Sequence, residues 1–203
     1  MLRLFHTKNF IEAGVDEAGR GCLAGPVTAS AVILPQKKLK WYKLLNDSKL
    51  LAREVREELR PLIERDAIAW KVAFADHEEI DRINILNATF LAMHRAIDQL
   101  SLKADYLLID GNRFKAYNGI PHHCIVKGDG KYLSIAAASV LAKTHRDEYM
   151  LQLHVQHPEY GWDHNKAYAT EMHRDAIMQY GTTPFHRKSF SLCNAQVELE
   201  LEE

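Results

Sequence analysis

Residues 14–21, Gly-Val-Asp-Glu-Ala-Gly-Arg-Gly, limit the folds open to this chain more than any other stretch. Neighbouring side chains of a β-strand point to opposite faces, so Asp16 and Glu17 serve one site together only where the strand ends or bends. Three glycines within those eight residues supply the bend. The apolar runs on either side, residues 11–18 and 26–34, then read as two strands joined by the glycine turn, a hairpin. Two carboxylates, a guanidinium and exposed backbone N–H groups therefore meet at one end of a sheet. Such a set suits metal-assisted chemistry on a phosphate-bearing substrate. A strand ending in a solvated polar turn is the plainer alternative, and the octet alone does not choose between them.

Downstream, strand and helix patterns alternate. A connection carrying Lys37, Lys38, Lys40 and Lys43, mostly solvated charge, leads to Asp47-Ser48-Lys49 and a Glu-, Arg- and Leu-rich helix over 52–65. Residues 67–75 read as a strand. Apolar residues at Ile85, Leu86, Ala88, Ala92, Met93, Ala96 and Ile97 predict a helix over 84–100. A short strand over 105–110 ends on Asp110 before Gly111-Asn112, and another over 122–126 precedes Lys127-Gly128-Asp129-Gly130. A long helix follows over 132–155, and its small-residue stretch 134–139 suggests close packing on a sheet. After Pro158 come a polar aromatic loop (160–168), a helix over 170–180 and the segment Pro184–Phe190. This order gives an α/β protein, a mixed central sheet flanked by helices, with 1–203 as one domain: a core over 1–180 and an extension over 181–203.

Charge and cysteine usage narrow the partners. A formal net charge of −1 offers no global attraction to nucleic acid, so any polyanion-binding surface must be a local patch. Cys22, Cys124 and Cys193 are odd in number and widely separated, which speaks against a disulfide framework and for a reducing compartment. With no apolar stretch long enough to cross a membrane and no signal-peptide pattern, a cytoplasmic protein without a membrane partner is expected.

Asp16-Glu17, Asp110 and Asp129 each stand at a glycine turn after a strand, so they can converge at one end of the sheet. A hard divalent cation takes oxygen ligands and lets substrate phosphate and water complete its shell. Two such ions about 3.5–4 Å apart can activate a water and stabilise the leaving oxygen of a phosphodiester. Four carboxylates without a cation would repel one another and shift their own pKa values. His122-His123-Cys124 is not read as a metal group, because adjacent side chains on a strand diverge. The chain lacks G-x-x-x-x-G-K-[ST], which counts against a phosphotransferase.

Six blocks in order resemble the ribonuclease HII family, the type 2 ribonucleases H. They are Gly14–Gly21 with Leu23-Ala-Gly-Pro26, Asn46–Lys49, Ile109–Asn112, Lys127–Asp129, Ser134–Ser139 with Ala142-Lys143, and His186–Phe190. The resemblance implies a ribonuclease H-like fold with a small C-terminal helical extension. It implies endonucleolytic cleavage of RNA in RNA–DNA hybrids, and 5′ of single ribonucleotides embedded in duplex DNA, leaving 3′-hydroxyl and 5′-phosphate ends during DNA repair. Asp16, Glu17, Asp110 and Asp129 match the four carboxylates that bind the divalent cation, Mg²⁺ or Mn²⁺. Gly19-Arg20-Gly21 matches the turn that contacts the 2′-hydroxyl, the group that separates RNA from DNA. Tyr168 corresponds to the substrate-sensing tyrosine, with Tyr160 as rival. Lys49, Arg113, Lys127, Lys143, Arg146, Arg187 and Lys188 become candidates for phosphate contacts, and Ser48, Asn112 and Ser139 for hydrogen-bonding supports.

Departures are few: Cys22 where proline is frequent, Ala167 where glycine is frequent, and Gly130 directly after Asp129. The related ribonuclease HIII class usually carries a long N-terminal extension and lacks arginine in the turn. Gln196-Val-Glu-Leu-Glu-Leu201 resembles the short peptide with which bacterial repair proteins dock on the sliding clamp. A monomer is expected. The rival function is a catalytically silent hybrid-binding module of the same fold, against which the retained acids count, because a pure binder needs only positive charge.

Overall fold

The computed structural model describes residues 2–192. Five strands form one sheet: β1 (Glu12–Ala18), β2 (Val27–Ile33), β3 (Ala69–Ala75), β4 (Tyr106–Asp110) and β5 (His122–Ile125), in the order β3-β2-β1-β4-β5. The expected hairpin is present, with β1 and β2 antiparallel and Asp16 opposite Ser30. β3 extends the antiparallel half, whereas β4 and β5 run parallel to β1. The sheet is therefore mixed, and its central strand carries the first two acids.

Helices cover both faces. On one side lie α1 (Arg53–Asp66) and α3 (Leu133–Gln156), burying Val32, Leu59, Ile63, Ala137 and Leu141. On the other lies α2 (His77–Asp98), packed on Val15, Val27, Ala29, Ala31 and Ile109. The small residues of α3 let it sit against β1 backbone to backbone. A methyl added to Gly14 would fall 2.2 Å from the Ser134 carbonyl carbon, so no larger residue fits there.

α2 begins earlier than its apolar periodicity predicts. Asp76 and Glu79 form a reciprocal capping box: the Glu79 N–H donates to Asp76 and the Asp76 N–H to Glu79. Asn84, expected as the first residue, instead breaks the helix at φ 64° and ψ 163°. Its side-chain oxygen accepts from the N–H groups of Leu86 and Asn87, recapping the second half.

A third apolar cluster joins the glycine turn to the C-terminal part. Cys22, Leu23 and Ala24 pack with Met150, Tyr160, Trp162, Ala167 and Ile177, bringing in α4 (Trp162–Asn165) and α5 (Glu171–Tyr180). Backbone bonds stitch it together: Leu23 N–H to Ala167 C=O, Gly25 N–H to Phe185 C=O and Arg187 N–H to Leu23 C=O. Cys22 and Cys124 are free thiols. No helix among the described residues is long and apolar enough to cross a membrane. The clamp-like peptide at 196–201 lies outside the described residues.

Candidate active site

β1 delivers Asp16 and Glu17 to the end of the sheet, β4 delivers Asp110, and the 3₁₀ turn Gly128–Gly130 delivers Asp129. Local bonds aim each acid. Asp16 accepts from the Glu17 N–H at 2.7 Å, and Asp110 from the Gly128 N–H at 2.7 Å. Glycine at 128 permits that approach, since an added methyl would meet Ile135 at 2.6 Å. Lys127, just before it, takes a left-handed conformation at φ 55°.

The acids feel one another. Burial, then Glu17, then Asp110 push Asp16 well above the usual carboxylate range, against the pull of the Glu17 N–H and the Ser139 hydroxyl. Burial also raises Glu17; Arg20 opposes this, Asp110 adds to it, and Lys49 opposes it. Asp129 is pushed up to about 6, by burial first and then by Asp110 and Asp47. Asp47 is thus a fifth carboxylate of the site, one that sequence reasoning placed between the basic connection and the helix over 52–65 without assigning it a role; its place in the Asn46–Lys49 block was the available signal.

Among the described residues, no three His, Cys, Asp or Glu side chains stand as a ready-made ion cage. The donor set still fits a hard divalent cation, because every donor is an oxygen and the buried acids raise one another's affinity for positive charge. Asp16, Glu17, Asp110 and Asp129 are the residues that would hold it.

A cleft of about 500 Å³ opens beside the acids, lined by Glu17, Gly19–Gly21, Ser48, Lys49, Ser139, Lys143, Tyr168 and Phe190. Ser48 and Ser139 share a 2.6 Å hydrogen bond beneath Asp16. Arg20 pairs with Glu17 at 3.2 Å. Asn112 and Arg113 line an adjoining recess with Arg20 and Asp110. Tyr168, 39% exposed, faces the cleft with the Lys143 ammonium 5.5 Å from its ring centre, while Lys143 bonds Asp147 at 2.6 Å. Its rival Tyr160 is 2% exposed, stacks on Trp162 and donates to the Gly181 carbonyl, so it faces the interior.

Other expected contacts fall elsewhere. Lys127 and Lys188 are exposed outside the cleft lining, and the Lys188 N–H caps Asp81. Arg146 and Arg187 are corrected outright as phosphate contacts: both are fully buried and every nitrogen of their guanidiniums donates to a backbone carbonyl. Burial and the nearby Arg146 push Arg187 down to about 9, which leaves it charged at neutral pH. His122 and His123 do diverge, one edging Phe114 and the other stacking on His6.

Behind Tyr168 sits a neutral histidine pair. The Trp162 indole donates to His173 Nε2 at 2.9 Å, and His173 Nδ1 bonds the Tyr168 carbonyl at 3.0 Å. His186 Nδ1 accepts from the Thr183 N–H, and burial, then His173, press His186 down to about 4.

A mixed five-stranded sheet between helical layers, with carboxylates at the end of its central strand, defines a ribonuclease H-like hydrolase. Comparison with known proteins carries this further. The family profile for ribonuclease HII matches residues 13–193. Proteins named ribonuclease HII from Phocaeicola vulgatus and Bacteroides fragilis are 58% and 60% identical over 201 and 200 residues, covering 99% and 98% of both chains. The ribonuclease HII of an Archaeoglobus fulgidus PCNA complex superposes with a TM-score of 0.76 at 24% identity, covering 93% of this chain and 98% of that one. A ribonuclease HIII solved with Mn²⁺ gives 0.71 at 18% identity, covering 95% and 70%. The chain belongs to the ribonuclease HII family and is a metal-dependent ribonuclease.

Proposed function

We propose that this enzyme cleaves the RNA strand of RNA–DNA hybrids and cuts 5′ of single ribonucleotides embedded in duplex DNA, leaving 3′-hydroxyl and 5′-phosphate ends. The observation that carries the reading is the meeting of Asp16, Glu17, Asp110 and Asp129, from three segments, with a cleft walled by the Gly19-Arg20-Gly21 turn and Tyr168. Bound divalent cations, Mg²⁺ or Mn²⁺, would supply an activated water and stabilise the departing 3′-oxygen.

The chain's own residues do the rest. Asp16 is held by the Glu17 N–H and the Ser139 hydroxyl, and Asp110 by the Gly128 N–H, so the oxygens are oriented before substrate arrives. Among the described residues nothing lies within 4 Å of a methyl added to Gly21, which leaves room for a ribose to approach the backbone. Lys49 and Arg20 offer positive charge at the rim, where phosphates are positioned without sequence being read. Tyr168 presents an aromatic face to the sugar or base of the ribonucleotide. The enzyme acts as a cytoplasmic monomer in ribonucleotide removal. Its 196–201 peptide docks on a sliding clamp, as suggested by the neighbour complexed with PCNA; unchanged clamp affinity after deletion of 196–203 would rule this out.

Asp16→Asn tests the reading directly. Cleavage of a duplex with one ribonucleotide should disappear while duplex binding stays measurable; full activity in that variant would refute the carboxylate chemistry. Replacing the lone 2′-hydroxyl by hydrogen should abolish cutting there, and equal cleavage of all-DNA duplex would indicate a general nuclease instead.

A further inference from the structure

Arg146 and Arg187 are fully buried, Arg146 lies close enough to depress the basicity of Arg187, and among the described residues neither forms a salt bridge with a carboxylate. Burying a guanidinium is costly unless its hydrogen bonds are fully met. Here every guanidinium nitrogen donates to a backbone carbonyl. Arg146 donates to Ala24 and Pro26 at 3.2 and 3.1 Å and to Lys166 at 2.9 Å. Arg187 donates to Gly19, Arg20 and Gly25 at 2.7, 2.9 and 3.0 Å. Five of these six acceptors lie in residues 19–26, the loop that opens with the glycine turn.

A trans peptide sets each N–H opposite the preceding C=O. With the carbonyls of Gly19 and Arg20 turned in to Arg187, the N–H groups of Arg20 and Gly21 point out. Neither has a protein acceptor among the described residues. Gly19 is moulded to the same end: its φ is +91°, and an added methyl would stand 2.0 Å from Arg146 Nε. Gly21 differs, since neither its φ nor any neighbour among the described residues demands glycine, and it lines the cleft. Successive outward N–H groups over buried positive charge form an anion- and oxygen-seeking concavity.

We infer that Arg146 and Arg187 are positioning residues for substrate recognition: they turn the peptide planes of Gly19-Arg20-Gly21, the turn that the family resemblance sets against the 2′-hydroxyl, so that its Arg20 and Gly21 N–H groups face that oxygen. This deepens the proposed function and rests on it. The two arginines touch no substrate. They act through carbonyls, as a template behind the recognising surface, and the glycines keep that surface thin.

The test compares affinities for two duplexes differing only in one 2′-hydroxyl, measured in Ca²⁺ to suppress cutting. In Arg187→Lys and Arg146→Lys, which keep charge but lose the planar fork, the wild-type preference for the hydroxyl should fall about tenfold or more. A merely structural role would lower the active fraction and leave the preference unchanged, and that result overturns the inference. The wild type supplies a second measurement that needs no variant to fold. The backbone amide resonances of Arg20 and Gly21 should shift more with the ribonucleotide duplex than with the all-DNA one, and equal shifts refute the assignment. Absence of any 2′-hydroxyl preference in the wild type would instead defeat the function on which it rests.

Discussion

Asp129→Asn, studied without metal, makes the electrostatics of the site measurable as stability. Asp129 is buried beside Asp110 and Asp47, and its carboxyl is pushed from 3.8 to about 6. The folded protein therefore holds this proton more tightly than the unfolded chain. Its contribution is fully present below the ordinary carboxylate pKa and is lost as pH rises through about 6. A shift of two units converts to about 3 kcal/mol, and screening by water in the open cleft reduces this to about 1–2 kcal/mol. Asparagine does not titrate, can still accept the Gly130 N–H, and donates to Asp47 without a shared proton. In EDTA at pH 8 the variant should melt higher than the parent by roughly 2–8 °C, and at pH 4 the two should coincide. Thermal melts followed by circular dichroism at pH 4, 6 and 8 decide the matter. The depressed histidines His173 and His186 cost both proteins stability at low pH and cancel in the difference. Added Mg²⁺ should raise the parent more than the variant, by mass action on a site the variant has damaged. An equal gain at pH 4, or no gain at pH 8, would refute the reasoning.

Three further perturbations follow from the geometry. Gly19→Ala forces a positive φ on a residue with a side chain, about 1–2 kcal/mol before the clash with Arg146 is counted, so the urea midpoint should drop and cleavage with it; an unchanged midpoint contradicts the description. Ala167→Gly relieves a left-handed alanine at φ 64° but loosens the unfolded chain and removes a buried methyl worth about 0.8 kcal/mol, so the stability should stay within about 0.5 kcal/mol of the parent in the same assay, and a loss of about 2 kcal/mol or more contradicts the description. Tyr168→Ala removes an exposed ring from the cleft; with aromatic contacts to nucleotides worth about 1–3 kcal/mol, kcat/KM on a single-ribonucleotide duplex should fall about tenfold or more, at a nearly unaltered melting temperature.

The hairpin and its acids were legible because apolar runs and clustered glycines are local signals. The start of α2 was legible in principle through Asp76 and Glu79. Its first turns bury little besides Ile80, however, so apolar periodicity picks up only the half after Asn84. Arg146 and Arg187 misled because one residue type serves both a phosphate and a row of carbonyls, and only the fold shows which it meets. Asp47 was hidden for a related reason. It stands among lysines in sequence and beside Asp129 in space, a proximity set by contacts far apart along the chain.

β1 is hydrogen-bonded on both edges, by β2 and by β4, and pressed at Gly14 against the backbone of α3. Its amide hydrogens can reach solvent only when the whole molecule opens, whereas those of the peripheral turns are freed by local excursions. Deuterium should thus enter residues 13–16 last of all. Two of the acids accordingly ride on the slowest clock in the molecule, and their spacing should persist through every motion that admits or releases a duplex.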